Sequence, residues 1–120
     1  MKNYVYAFFC NSEDEDGKVG LKLCKIETEL DAKDLTTELI YFLGQTDGAY
    51  VDDKGYVHEV YNGKDQVYCK YFDEISIDAL KELRSDMEEF GLKDEADYLT
   101  AIIDYPLSLE YCITYEAYED

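Results

Sequence analysis

From Asn3 to Cys10 apolar side chains fall on both parities of the chain, as in an interior strand covered on both faces. Ser12 to Gly20 is polar and acidic and reads as a turn. Val19 to Glu27 then alternates, with Val19, Leu21 and Leu23 on one face and Lys22 between them, so the first two strands are expected to pair as a hairpin. At Asp31 the period changes to that of a helix. Ala32, Leu35, Leu39, Phe42 and Leu43 share a stripe, Asp31 is placed to cap it, and Gly44 is placed to stop it.

Strand patterns return over Gly48 to Asp52 and Tyr56 to Tyr61, separated by the tight turn Asp53-Lys54-Gly55. Asn62-Gly63 marks a second turn before Gln66 to Phe72. Two helices follow. Ser76 precedes a stripe of Ile77, Leu80, Leu83, Met87 and Phe90 that ends at Gly91. Asp94 is the expected cap of a shorter helix carrying Ala96, Leu99 and Ile103 and ending before Pro106. Ser108 to Tyr118 alternates again and predicts the last strand. The order β-β-α-β-β-β-α-α-β predicts a single α+β domain over residues 1–120: a mostly antiparallel sheet of five to six strands with three helices packed on one side.

A chain of 120 residues buries roughly two-thirds of its unfolded surface, enough for a core without metal or disulfide. The four cysteines, Cys10, Cys24, Cys69 and Cys112, are scattered and form no C-x-x-C pair, so they read as buried free thiols. The sequence holds no apolar run of about 18 residues, and Met1 to Cys10 reads as a strand rather than a secretory leader, so the expectation is a cytoplasmic protein.

Charge changes the picture most. Twenty-nine Asp and Glu stand against eleven Lys and Arg, a net −18, yet 47% of residues are apolar and thirteen are tyrosine. Such a chain folds while repelling itself. It repels nucleic acid and anionic membranes and is drawn to basic protein surfaces.

Catalytic patterns are sparse. There is one histidine, no G-x-S-x-G, no Gly-rich phosphate loop and no H-E-x-x-H, so no catalytic residue and no cofactor is assigned. His58 has no cysteine at zinc-ligand spacing, and no metal ligand is assigned. Ser12-Glu-Asp-Glu-Asp-Gly17 matches the front of a calcium loop at Asp14, Asp16 and Gly17. It fails at the first position, Ser12, and at the twelfth, Leu23, where a bidentate Glu is required.

The helix after Ser76 is more informative. Glu74, Asp78, Glu82 and Asp86 recur at i, i+4, with Glu89 nearby. A four-residue step rises about 6 Å, and a carboxylate row at that pitch resembles successive phosphates of one DNA strand. Like charges at that spacing cost a helix a few tenths of a kcal/mol per pair. Asp94, Glu95 and Asp97 continue the row, and no Lys or Arg follows Lys93. These eight acids are the predicted partner-binding residues, all expected on the solvent face. Tyrosines crowd the middle hairpins at Tyr50, Tyr56, Tyr61, Tyr68 and Tyr71, while Tyr4, Tyr6 and Tyr111 are expected in the core.

In charge and size the chain resembles the small acidic phage inhibitors that imitate DNA, the anti-CRISPR and antirestriction proteins. That resemblance implies a protein-protein inhibitor seated in the basic groove of a Cas effector or another nuclease, with no enzymatic activity. Asp97-Tyr-Leu-Thr-Ala-Ile-Ile-Asp-Tyr-Pro-Leu-Ser-Leu-Glu-Tyr111 is similar to the helix-to-strand stretch of barstar-type immunity proteins. It implies the alternative function of neutralising a cognate basic toxin nuclease, with Asp97 among the plugging acids.

Overall fold

The computed structural model describes residues 3–10, 22–45, 48–61, 63–105 and 113–117. They form β1 (Asn3–Phe9), β2 (Lys22–Thr28), α1 (Ala32–Leu43), β3 (Gly48–Val51), β4 (Val57–Tyr61), β5 (Lys64–Phe72), α2 (Ile77–Glu89), α3 (Lys93–Asp104) and β6 (Ile113–Ala117). The fold is α+β. One six-stranded sheet runs β3-β4-β5-β1-β2-β6. From β3 to β2 each strand pairs antiparallel with its neighbour, and β6 joins the edge parallel to β2. The doubly apolar strand β1 lies in the middle, between β5 and β2, as its pattern requires.

The sheet separates two apolar clusters. Phe8, Cys10, Leu23, Tyr56 and Val67 meet Leu80, Leu83 and Met87 of α2 and Ala96, Leu99, Ile102 and Ile103 of α3 in the main core. Ala7, Cys24 and Ile26, flanked by Phe9 and Tyr71, form a smaller cluster on the opposite face. Both parities of β5 serve these faces because a bulge follows Val67: His58 pairs with Val67 and Val57 with Cys69, leaving Tyr68 as the extra residue.

The expectation of three helices on one side is corrected for α1, which contributes no residue to the main core. It lies against β3, β4 and β5 beside Val51 and Tyr71, which share the face of Val57 and Ala7. Topology explains the split. β2 and β3 point the same way, as do β5 and β6, so α1 and the α2–α3 pair are both crossovers, travelling toward opposite edges. A right-handed crossing in each direction requires opposite faces of the sheet. None of the α1 residues is fully buried, and Tyr41 and Phe42 are largely exposed.

Local signals account for the helix ends. Asp31 accepts from the Asp34 N–H at 2.8 Å and Ser76 from the Ala79 N–H at 3.1 Å. α2 closes with Leu92 N–H on the Met87 carbonyl and Gly91 N–H on the Glu88 carbonyl, the paired bonds of a Schellman turn, with Gly91 at φ 77°. That turn feeds directly into α3, so the expected cap at Asp94 does not form. α3 starts at Lys93, Leu92 holds the cap position without a side-chain bond, and Asp94 and Glu95 sit in the first turn, where the helix dipole favours acids. Cys10, Cys24 and Cys69 are buried, as expected. Tyr4, expected in the core, is about half exposed and lies under the Lys25 ammonium at 4.2 Å. The acidic turn with its calcium-loop resemblance, Cys112, Tyr111 and most of the barstar-like stretch beyond α3 lie outside the described residues.

Candidate functional site

The predicted acidic row divides in two. Glu74, Asp78, Glu82 and Glu89 are exposed around α2, and Asp94 and Asp97 are exposed on α3. Asp86 and Glu95 are not; they are 7% and 2% exposed. The cause for Asp86 is helical drift. Each four-residue step overshoots a full turn by about 40°, so a row centred on solvent at Asp78 has rotated toward the sheet two steps later. Glu95 stands one residue before Ala96 and four before Leu99, on the stripe that packs against the core.

Asp86 holds α2 to the β3–β4 turn. The Tyr56 hydroxyl, fully buried, donates to its Oδ2 at 2.6 Å, and Lys54 Nζ lies 3.2 Å from its Oδ1 and 2.9 Å from Glu89. Burial, and then the Asp86 bond and charge, push the Tyr56 phenol far above its ordinary range. The bond to Glu89, then that to Asp86, raises the Lys54 ammonium. Burial, reinforced by Glu95, likewise holds the Cys10 thiol well above its usual range, and burial does the same for Cys69.

Next to this anchor lies a cluster whose residues stand at no metal-ligand or catalytic-motif spacing in the sequence. Asp52 Oδ1 accepts the backbone N–H of Lys54 and of Tyr56, both at 2.9 Å, and so shapes the turn. Its Oδ2 stands 2.7 Å from His58 Nε2, while His58 Nδ1 stands 2.8 Å from Asp65 Oδ1. The Tyr50 hydroxyl donates to the other oxygen of Asp65. Tyr50 also stacks on the imidazole at 4.6 Å, and Phe90 meets it edge-on at 5.9 Å.

The electrostatics follow from these bonds. Burial opposes ionisation of Asp52, but the bonds from His58 and the turn outweigh it and its carboxyl falls below the ordinary value. The Tyr50 bond is the largest influence lowering Asp65, and the same bond raises the Tyr50 phenol. Both ring nitrogens of His58 are engaged by carboxylates. A cleft of about 350 Å³ opens beside this cluster, lined by His58, Asp65, Gln66, Val67, Phe90 and Leu92.

Hairpin register is the signal that marks the cluster in the sequence. A turn at Asp53-Lys54-Gly55 sets Tyr50 opposite His58 and puts Asp52 diagonal to it on the same face. Among the described residues no group of three or more His, Cys, Asp or Glu is arranged to hold a metal, and no helix is long and apolar enough to cross a membrane. Compared with known proteins, the chain matches no family model, no curated protein and no solved structure.

Proposed function

We propose that this protein is an inhibitor that seats the acidic outer face of α2 and α3 in the basic nucleic-acid groove of a nuclease, such as a CRISPR effector or a restriction enzyme. The observation that carries the reading is the composition of that face. Asp78, Glu82, Glu88, Glu89, Asp94, Asp97 and Asp104 are exposed there, against Lys81, Lys93 and a half-buried Arg84 that reaches Thr100. Asp78 and Glu82 keep the phosphate-like rise of about 6 Å, and the net charge of −18 extends the field beyond the contact.

Such a groove supplies Lys and Arg already arranged for phosphates. Docking carboxylates there relieves the repulsion along α2 and displaces bound ions, so affinity falls as salt rises. The inhibitor acts by occupancy and needs no catalytic group or cofactor. A displacement assay tests this reading. Adding the protein to a preformed complex of labelled duplex and nuclease is expected to release the duplex, and the protein alone is expected to leave free duplex unshifted. A shift of free duplex by the protein, or a complex that accepts the protein while keeping its duplex, contradicts the proposal.

A further inference from the structure

The cleft beside His58 is built for a charge the acidic face does not itself distinguish. Val67 and Leu92 give it an apolar floor, Phe90 offers an aromatic wall that is 36% exposed, and Gln66 adds an exposed amide. Among its described lining residues the carboxylate is Asp65, whose side chain is about half exposed and stays ionised through its bonds to Tyr50 and His58. Two oxygens of an ionised carboxylate offer about four acceptor sites, so those two bonds leave room for a further donor. The position is fixed from three directions: β4 carries His58, β5 carries Asp65 to Val67, and the Schellman turn after α2 carries Phe90 and Leu92.

A cleft whose lining is part apolar and part polar and presents the Asp65 carboxylate, on a chain of net charge −18, is complementary to an amphipathic cation. A neutral donor gains only an ordinary hydrogen bond from Asp65, a cation adds charge to that bond, and anions are repelled. Between the two basic side chains the geometry favours arginine. Its planar guanidinium can meet a carboxylate edge-on and lay a face on Phe90, whereas an ammonium is a compact, strongly hydrated point charge.

We infer that the cleft formed by Asp65, Val67, Phe90 and Leu92 is an anchor pocket for an arginine side chain of the basic partner. This inference rests on the inhibitor reading and adds a site to it. Glu89 and Asp94 flank Phe90 and Leu92 in the chain, so the pocket adjoins the acidic face at the α2–α3 corner. A buried anchor surrounded by a charged rim is the usual division of labour in a protein interface, the rim steering and the anchor holding.

The test needs no nuclease. The ¹⁵N-labelled protein is titrated with N-acetyl-argininamide and, separately, with the uncharged near-isostere N-acetyl-citrullinamide. The arginine probe is expected to give saturable shifts at Gln66, Val67, Phe90 and Leu92, and the citrulline probe to bind at least fivefold more weakly. Asp65→Asn is expected to weaken the arginine probe at least fivefold. If that variant loses its native spectrum, Phe90→Leu keeps the apolar volume, removes the ring face and is expected to weaken the probe at least threefold. Equal shifts with both probes, or arginine shifts confined to the outer faces of α2 and α3, overturn the pocket. Because the displacement assay reads the nuclease groove and this titration reads the cleft, failure of either is seen separately.

Discussion

Asp86 shows how one residue changes role with its angle on a helix. By spacing it belongs to an outward row; by position it receives the buried Tyr56 hydroxyl and the Lys54 ammonium. Asp86→Ala leaves that hydroxyl without its acceptor and is expected to cost about 1–3 kcal/mol in urea unfolding. Asp86→Lys is expected to cost more, since it adds a cation beside Lys54. Glu82→Lys, on the exposed side, is expected to leave the melt unchanged or raise it. Tyr56 also has a pH signature. Its folded value is raised, so its contribution is fully present below the ordinary phenol value of about 10 and is lost as pH rises beyond it. At pH 11 that loss reaches about 1.4 kcal/mol, and Tyr56→Phe is expected to remove this part of the alkaline decline. Unfolding curves at pH 9 and pH 11 for both proteins measure it, and equal declines would contradict the buried position of Tyr56.

At the scale of elements, the turn between α2 and α3 decides where Phe90 and Leu92 point, and Gly91 makes it possible. Its φ of 77° is open to glycine but strained for other residues, while a Cβ there would touch nothing within 4 Å. Gly91→Ala is therefore expected to cost about 1 kcal/mol through backbone strain alone, read as a lower urea midpoint with an unchanged slope. Most elements were legible because each carries its own period: alternation in β2, the stripe in α2, Asp31 and Ser76 as caps. The Asp94 cap was not, because the competing Schellman bonds of Leu92 and Gly91 run back to Met87 and Glu88. Nor was the split of the helices between the two faces, which depends on β3 and β6 lying at opposite edges, parallel to β2 and β5 respectively, placements that no local pattern encodes. The His58 cluster lay within reach. The turn residues mark both hairpins in the sequence, but Tyr50, Asp52 and Asp65 become neighbours of His58 only through the hairpin registers.

At the scale of the whole molecule, the charge of −18 acts on folding and on association with opposite signs. Salt screens self-repulsion over a Debye length of about 10 Å at 0.1 M, so the melting temperature is expected to rise between 0.05 and 0.5 M NaCl. The same addition is expected to weaken binding to a basic groove. A melting temperature that fell with salt would mean that attractive pairs such as Lys54–Glu89 outweigh the repulsion, against the composition. The most direct test of the central claim reverses two exposed acids that the fold does not use. Asp78→Lys/Glu82→Lys should melt at or above the temperature of the parent and, in competition with labelled duplex for CRISPR effectors and restriction enzymes, bind its target at least tenfold more weakly, a change of about 1.4 kcal/mol. Displacement of the duplex by the double variant as effectively as by the parent would contradict the claim that this face is the working surface.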